Sequence, residues 1–266
     1  MTPVVQRWRA RRDSYRPAGE VLRTADYEVA PIAADREAKA FVLAHHYSGS
    51  YPAARVRVGL YRRAELVGVA VFSVPAQPAV LAPFGTASAV ELGRFVLLDS
   101  VPGNGESWFL SRAFEFLRGD GFAGVVSFSD PVPRARADGE VVFGGHVGTI
   151  YQASNAIYTG RSKAERRLLL PDGSLLHGRT LAKVRRRDRG WRYASALLER
   201  HGAEPLSEHE DAAAWVARWV PRLTRPLRHG GNHRYLFAIE CGRAGRAMRR
   251  ALPKGLPYPK FDREAA

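Results

Sequence analysis

The stretch from Val90 to Leu117 constrains the fold more than any other part of the chain. Val90 to Leu98 reads as a strand and runs into Asp99-Ser100-Val101-Pro102-Gly103-Asn104-Gly105. From Glu106 to Leu117 the apolar residues Trp108, Phe109, Ala113, Phe116 and Leu117 then recur at helical spacing. A strand, a glycine turn and an amphipathic helix in succession need a second strand for the helix to return to. Gly124 to Ser129, a short apolar run after Gly119 and Gly121, supplies it. Such a crossover sets two parallel strands side by side, so the expected fold class is α/β, with a mixed central sheet and flanking helices.

The remaining elements fit around that unit. Ala34 to His45 is expected to be a helix, with Asp35 able to cap its start, and it stops at His46-Tyr47-Ser48-Gly49. Arg55 to Tyr61 and Leu66 to Val74 read as strands joined across the polar residues Arg62 to Glu65, and Pro75, Pro78 and Pro83 impose a loop after them. Thr149 to Tyr158 reads as a helix closed by Gly160. Leu168 to Leu170 and Leu175-Leu176 flank the turn Pro171-Asp172-Gly173-Ser174. Leu181 to Arg187, Tyr193 to Arg200 and Asp211 to Val220 look helical, and Tyr235 to Glu240 is a closing strand. Residues 1–30 carry Arg7, Arg9, Arg11, Arg12 and Arg16 without an apolar period, the pattern of a basic N-terminal arm that is mobile or loosely docked. Residues 31–240 are expected to form the catalytic domain, with 161–220 a basic, mainly helical elaboration, and 241–266 to be a basic C-terminal extension, partly ordered.

Charge narrows the partners. Forty-one Lys and Arg against 26 Asp and Glu give a formal charge of +15 and a pI near 10.6, which points to a polyanion. From Arg161 to Tyr193 there are 11 basic residues against three acidic ones. Within it, Arg185, Arg186, Arg187 and Arg189 beside Trp191 and Tyr193 offer phosphate contacts and faces on which an unpaired base can stack. Tyr47 and Tyr51 are further stacking candidates; the bland alternative is a solvated basic surface with aromatics in the core. The single cysteine, Cys241, excludes an internal disulfide and a cysteine-based zinc cluster. No apolar run reaches the roughly 18 residues that cross a bilayer, and the Arg-rich N-terminus has no apolar signal core. A cytoplasmic protein with no membrane partner is expected.

A glycine turn that leads from a strand into a helix aims free backbone N–H groups at one point, where the helix dipole also favours an anion. Gly103, Asn104 and Gly105 form that turn and Ser107 adds a donor, so a pyrophosphate is the expected ligand. A Walker A loop is excluded because no Gly-Lys-Ser/Thr follows, and a dinucleotide fingerprint lacks its third glycine and downstream acid. There is no Gly-x-Ser-x-Gly elbow and no tight metal-ligand spacing, so the metal set is expected to be none.

The order of elements resembles the GNAT acyltransferase fold, in which the glycine turn holds the pyrophosphate of coenzyme A and the thioester lies between the two parallel strands. Ser100 stands where that family's phosphate loop opens with Arg or Gln; Arg94 is the candidate substitute cation, and Glu106 works against an anion. A narrower resemblance rests on five strings: His46-Tyr47-Ser48, Glu91-Leu92-Gly93-Arg94-Phe95, Phe128-Ser129-Asp130-Pro131, Gly145 to Asn155 (GHVGTIYQASN) and His233-Arg234-Tyr235. Together they are similar to the phage Mom family, GNAT-like enzymes that convert DNA adenine to its N6-methylcarbamoyl form and so hide phage DNA from restriction. The resemblance implies acetyl-CoA or a related acyl-CoA as donor and DNA as substrate. It assigns Arg94 and Ser107 to the acyl-CoA site and His46, Asp130 and Tyr151 to the reaction centre. The resemblance also leaves open a facial iron site made by His46, Asp130 and another donor. Pro133 to Gly144 reads as an insertion that separates Asp130 from Tyr151.

The residue types also make chemical sense alone. The exocyclic amine of adenine is a poor nucleophile because its lone pair is delocalised into the ring, so a base or orienting acceptor is needed beside it; Asp130 suits this role, or simply initiates the turn before Pro131. Tyr151 suits a donor to an oxyanion or a thiolate, or is a core aromatic with a satisfied hydroxyl. His46 is a base or a capping residue. Chemistry on a duplex adenine requires base flipping or an unwound strand. The competing readings are an ordinary GNAT N-acetyltransferase acting on a small-molecule or protein amine, and a nucleic-acid-binding module without catalysis.

Overall fold

The computed structural model describes residues 4–85 and 87–260. In chain order the elements are β1 (Val4–Arg9), β2 (Arg12–Pro17), β3 (Tyr27–Pro31), α1 (Asp35–His45), β4 (Ala54–Arg62), β5 (Glu65–Ser73), β6 (Ala89–Leu97), α2 (Gly105–Gly119), β7 (Gly124–Ser129), β8 (Arg134–Ala135), β9 (Val141–Phe143), α3 (Thr149–Ala153), β10 (Ile157–Arg161), β11 (Glu165–Leu169), β12 (Leu175–Leu176), α4 (Gly178–Arg186), α5 (Trp191–Glu199), α6 (Ala212–Leu223), β13 (Arg225–His229), β14 (His233–Ala238) and α7 (Gly242–Ala251). The chain divides into two compact units. One runs to Pro131, continues over His146–Ser162 and resumes at Asn232; the other is Val132–Gly145 with Lys163–Gly231. The division therefore falls inside the expected 31–240 domain, and the expected C-terminal extension belongs to the first unit.

The first unit is built on a seven-stranded sheet in the order β10-β14-β7-β6-β5-β4-β3. Only β6 and β7 run parallel; every other neighbour is antiparallel, so the sheet is mixed as the crossover through α2 requires. The parallel pairing covers Ala89↔Gly124 to Leu92↔Ser127 and ends there, although β6 continues to Leu97. The cause is a bulge: Val71 pairs with Arg94 and Phe72 with Leu92, which leaves Gly93 as the extra residue and bends β6 away from β7. Alternation along the sheet divides the core between its faces. Phe109, Leu110, Ala113 and Leu117 of α2 pack with Leu92, Val125 and Phe237. On the opposite face Leu252 and Met248 pack with Leu81, Phe84, Val126 and Leu236.

Both excursions from this unit close where they open. The His146 N–H donates to the Asp130 carbonyl at 2.8 Å, which ties the ends of the 132–145 segment together. The Ser162 N–H donates to the Asn232 carbonyl at 2.8 Å and closes the longer 163–231 segment in the same way. The insertion read at Pro133 to Gly144 is the β8–β9 hairpin of the second unit. That unit holds a three-stranded sheet β12-β11-β13 and a core of its own, in which Leu181, Val184, Leu198, Trp215 and Val216 are fully or almost fully buried. Asp211 caps α6 by accepting the Ala213 and Ala214 N–H groups.

Two expectations are corrected. The stretch Thr149 to Tyr158 is not one helix: α3 ends at Ala153, Asn155 turns the chain at φ 58°, and Ile157 to Arg161 form an edge strand in which Gly160 sits at φ 91°. The β-branched and aromatic run Ile157-Tyr158-Thr159 favours that strand. The first 30 residues are not a loose arm, since β1 and β2 form a hairpin whose Arg7 and Trp8 are buried and β3 is the edge of the main sheet. The C-terminal extension contains the regular helix α7.

Candidate active site

A cavity of about 170 Å³ in the first unit opens where β6 and β7 part. His46, at the C-terminal end of α1, Tyr151 of α3, and Gly103 and Asn104 of the glycine turn all line it. It is also lined by residues the sequence did not single out, Trp8 of the N-terminal hairpin and His146.

Tyr151 is positioned by backbone necessity. Gly148 precedes α3 at φ 71°, and a Cβ there would stand 2.7 Å from the Tyr151 ring. The ring packs against Tyr235 at 5.3 Å and Phe237 at 6.1 Å, and Ser127, the last residue of β7 paired with β6, acts on the phenol electrostatically. Ser127 in turn donates to the Leu92 carbonyl at 3.5 Å across the point of divergence. Burial pushes the Tyr151 phenol above its ordinary range, partly offset by Ser127 and Arg94, so the group is a neutral donor at physiological pH. Gln152 steadies the helix by donating to the Val147 and Pro259 carbonyls, both at 3.1 Å.

His46 is 6% exposed. Its Nδ1 lies 2.9 Å from the Ser48 hydroxyl and accepts the Ser48 backbone N–H at 3.2 Å, which leaves the ring proton on Nε2. Burial first, then Arg94 and His146, hold the imidazole well below its usual range. It is therefore neutral, with Nε2–H as a donor. Tyr47 stacks on it at 4.3 Å, Trp8 lies 4.4 Å from Tyr47, and the Tyr47 hydroxyl is 3.4 Å from His146 Nε2. Trp8, Tyr47 and His146 make an aromatic wall with few charges.

The glycine turn carries the opposite character. The Gly103 N–H donates to Glu20 Oε2 at 2.8 Å, and the Gly105 N–H donates to the Pro102 carbonyl at 2.8 Å. A Cβ on Gly103 would meet the Pro17 carbonyl at 2.5 Å, so the end of β2 lies directly on the turn. Glu106, in the first turn of α2, is buried against the Arg7 guanidinium, which also donates to the Leu98, Val101 and Pro102 carbonyls. Arg16 holds Glu20 through its side chain and lowers the carboxyl below its ordinary range. A carboxylate oxygen thus stands on the amide proposed for a phosphate oxygen, which shows that the turn accommodates an anion and that the chain already provides one.

Tyr47 and Glu106 also line the cavity, whereas Arg94, Ser107 and Asp130 lie outside its lining. Arg94 donates from Nε to the Ser50 carbonyl at 2.8 Å and from Nη2 to Ser50 Oγ at 2.7 Å, bracing the loop after His46. Ser107 is half-buried, with its hydroxyl 3.3 Å from the Asn104 carbonyl. Asp130 is 7% exposed, and its backbone carbonyl accepts the His146 N–H at 2.8 Å. In the second unit Arg185, Arg186 and Arg189 are exposed and Tyr193 is 78% exposed. Trp191, by contrast, packs on the second core with the Arg187 and Arg192 guanidiniums 4.6 and 5.3 Å from its ring centre, and Arg187 is also bonded to the Ser207 and Glu210 carbonyls. Trp191 is thus half-buried, with two guanidiniums lying over its ring. Among the described residues, no three His, Cys, Asp or Glu side chains are grouped to hold a metal ion, and no helix is long and apolar enough to cross a membrane.

The family model of the Mom protein family matches residues 26–260. The chain belongs to the Mom family. Solved structures with a related arrangement are acetyltransferases of the GNAT type. A tandem GNAT protein from the clavulanic acid biosynthesis pathway is 13% identical, with TM-score 0.36 over 55% of this chain and 48% of that one, so the chain spans about half its length. A Bacillus subtilis acetyltransferase in complex with CoA is 11% identical, with TM-score 0.34 over 80% and 97% of the two chains. The Escherichia coli GNAT protein YhbS in complex with CoA is 13% identical, with TM-score 0.30 over 44% and 68%. No curated protein sequence matches significantly. The β1–β2 hairpin precedes the residues that the family shares.

Proposed function

We propose that this Mom-family chain transfers an acyl group from acyl-CoA to the N6 amine of adenine in DNA, with the thioester seated where β6 and β7 part. The observation that carries the reading is the buried, protonated Tyr151 phenol lining the same cavity as the neutral His46 and Gly103 of the glycine turn. The bound acyl-CoA supplies an electrophilic carbonyl carbon and a thiolate leaving group. His46 Nε2–H and the Tyr151 hydroxyl are the donors suited to the developing oxyanion and the departing sulfur, and both are held in the protonation state that a donor needs. Asp130 is the proposed acceptor for the amine proton, with the His146 backbone bonded to its carbonyl. In the balanced step the new N–C bond forms, the C–S bond breaks, the amine proton passes to the carboxylate and sulfur takes a proton from the phenol.

A planar purine suits the wall of Trp8, Tyr47 and His146, and the basic character of the chain suits a polyanionic substrate. The diphosphate of acyl-CoA takes the Gly103 amide by displacing Glu20 and moving the β2 end off the turn. The family's N6-methylcarbamoyl product contains one nitrogen more than an acetyl group, so that product needs a nitrogen source in addition to the step written here. Its biological consequence is DNA that restriction enzymes fail to recognise.

The test is to incubate the protein with acetyl-CoA and DNA, digest the DNA to nucleosides and analyse them by mass spectrometry, with DNA from expressing cells in parallel. The reading expects an acylated deoxyadenosine, as the acetyl form in vitro or the methylcarbamoyl form from cells, and its loss in Asp130→Asn with the fold retained. Unmodified adenine from folded protein that acetylates a small or peptide amine would replace it with ordinary N-acetyltransfer. DNA binding without any transfer would reduce the protein to a binding module.

A further inference from the structure

The C-terminal helix α7 presents cations that nothing in the fold uses. Arg243, Arg246 and Arg250 are exposed and have no hydrogen-bond or ion-pair partner among the described residues. They fall at i, i+3 and i+7, hence on one side of the helix, and span about 10 Å, the axial rise of roughly three phosphates on one strand of duplex DNA. No acidic residue occurs between Cys241 and Lys260, whereas Arg249, Lys254 and Lys260 add to the same sign. Stability does not ask for this pattern. Arg243 lies in the first turn of α7, where a cation opposes the helix dipole, and the cap residue Cys241 supplies no side-chain hydrogen bond.

The opposite side of the helix fixes it to the sheet. Gly245 lies so close to the Glu240 carbonyl that a Cβ would approach it to 2.0 Å, and Met248 and Leu252 pack into the core with Leu81, Phe84 and Leu236. The apolar side is therefore spent, which separates α7 from membrane-surface helices, whose apolar side must be free to enter lipid. At its C-terminal end the cations continue into an open cavity of about 480 Å³ lined by Arg249, Arg250, Lys254 and Tyr258. Arg249 is steadied there by the Asn155 carbonyl at 3.0 Å.

We propose that α7 and the cavity after it are a phosphate track for the DNA backbone, carried by the same compact unit as the acyl-transfer cavity. The inference rests on the reading that the substrate is DNA. Its contacts are to phosphates, so it contributes affinity and register without sequence preference.

The test measures the affinity of the full chain for a labelled duplex by anisotropy across a range of salt, for the wild type, an Arg243→Gln/Arg246→Gln/Arg250→Gln triple variant and the corresponding Arg→Lys triple. Thermal unfolding and acetyl-CoA binding serve as controls for the fold. Three lost phosphate contacts are expected to flatten the slope of log affinity against log salt by about 2.7 and to weaken binding by roughly ten- to a hundredfold at low salt. The lysine triple is expected to keep the wild-type slope. A glutamine triple that folds, and binds DNA with the wild-type affinity and slope, overturns the track and leaves the DNA reading intact. A wild type that does not bind DNA overturns both, and binding of anionic phosphatidylglycerol vesicles in its place would make α7 a lipid-surface element.

Discussion

Where β6 and β7 part, the cavity is lined by a neutral imidazole, a neutral phenol and aromatic rings. At the glycine turn it is closed by two carboxylates and two guanidiniums contributed largely by the N-terminal hairpin and the segment after it. The difference separates two tasks. A reacting carbonyl is best served by donors that keep their protons in a dry site, and burial alone secures that. Anchoring a diphosphate, as the proposed function requires, needs a site that tolerates negative charge, and here the Glu20 carboxylate occupies the Gly103 amide.

The largest expected effect lies at the charged end. Arg7→Ala leaves Glu106 buried without its cation and three carbonyls without a donor, so unfolding stability should drop by about 3–5 kcal/mol, read from urea denaturation. A loss below about 1 kcal/mol would mean that the pair is not buried in solution.

Buried neutral imidazoles, one in the cavity and one at the start of β14, should reveal themselves through pH. His233, 2% exposed and bonded to Tyr158 at 2.8 Å, is held down to about 4 by burial and Arg161, and His46 is also depressed. The unfolded chain then binds more protons between the ordinary value of 6.5 and the folded one. Stability present above pH 6.5 should fall steadily towards pH 4, by about 3 kcal/mol from His233 alone. Denaturation at the two pH values checks this, and His233→Asn should flatten the dependence.

Tyr151→Phe removes the donor while preserving the ring packing, so turnover should fall on the order of a hundredfold with acetyl-CoA affinity unchanged. A wild-type rate would assign the donor role to His46. The smallest effect is expected from Glu20→Gln, which weakens the anion on the Gly103 amide. Acetyl-CoA should bind more tightly, by on the order of tenfold in calorimetry, and weaker binding would make the carboxylate part of the cofactor seat.

Much of the first unit is legible in the sequence because its signals are local. The α2 period, the turn before it and the β4–β5 hairpin follow from spacing, and the mixed sheet follows from the crossover. The N-terminal hairpin escapes because its turn, Ala10-Arg11, takes positive φ at two residues that give no turn signal, and because Arg7 finds its partners more than 90 residues away. The end of α3 escapes because the left-handed residue is Asn155 rather than the glycine five positions later. His46 and Tyr151 stand out as chemistry-bearing residues in a chain of strings, but the aromatic wall does not. Trp8 and His146 are separated by most of the first unit's sequence, and only folding brings their rings to 5.7 Å. The charge run at 185–192 is legible as charge, whereas its diversion onto Trp191 and two backbone carbonyls is a packing outcome.

The central claim is that a thioester cofactor enters between β6 and β7 and replaces the chain's own carboxylate on the glycine turn. Amide hydrogen exchange with and without acetyl-CoA measures this directly. The account predicts slower exchange over Leu92 to Arg94 and Gly103 to Ser107, with faster exchange in the β1–β2 hairpin as it lifts. Binding that leaves both stretches unchanged, or protects the hairpin in place, would contradict it.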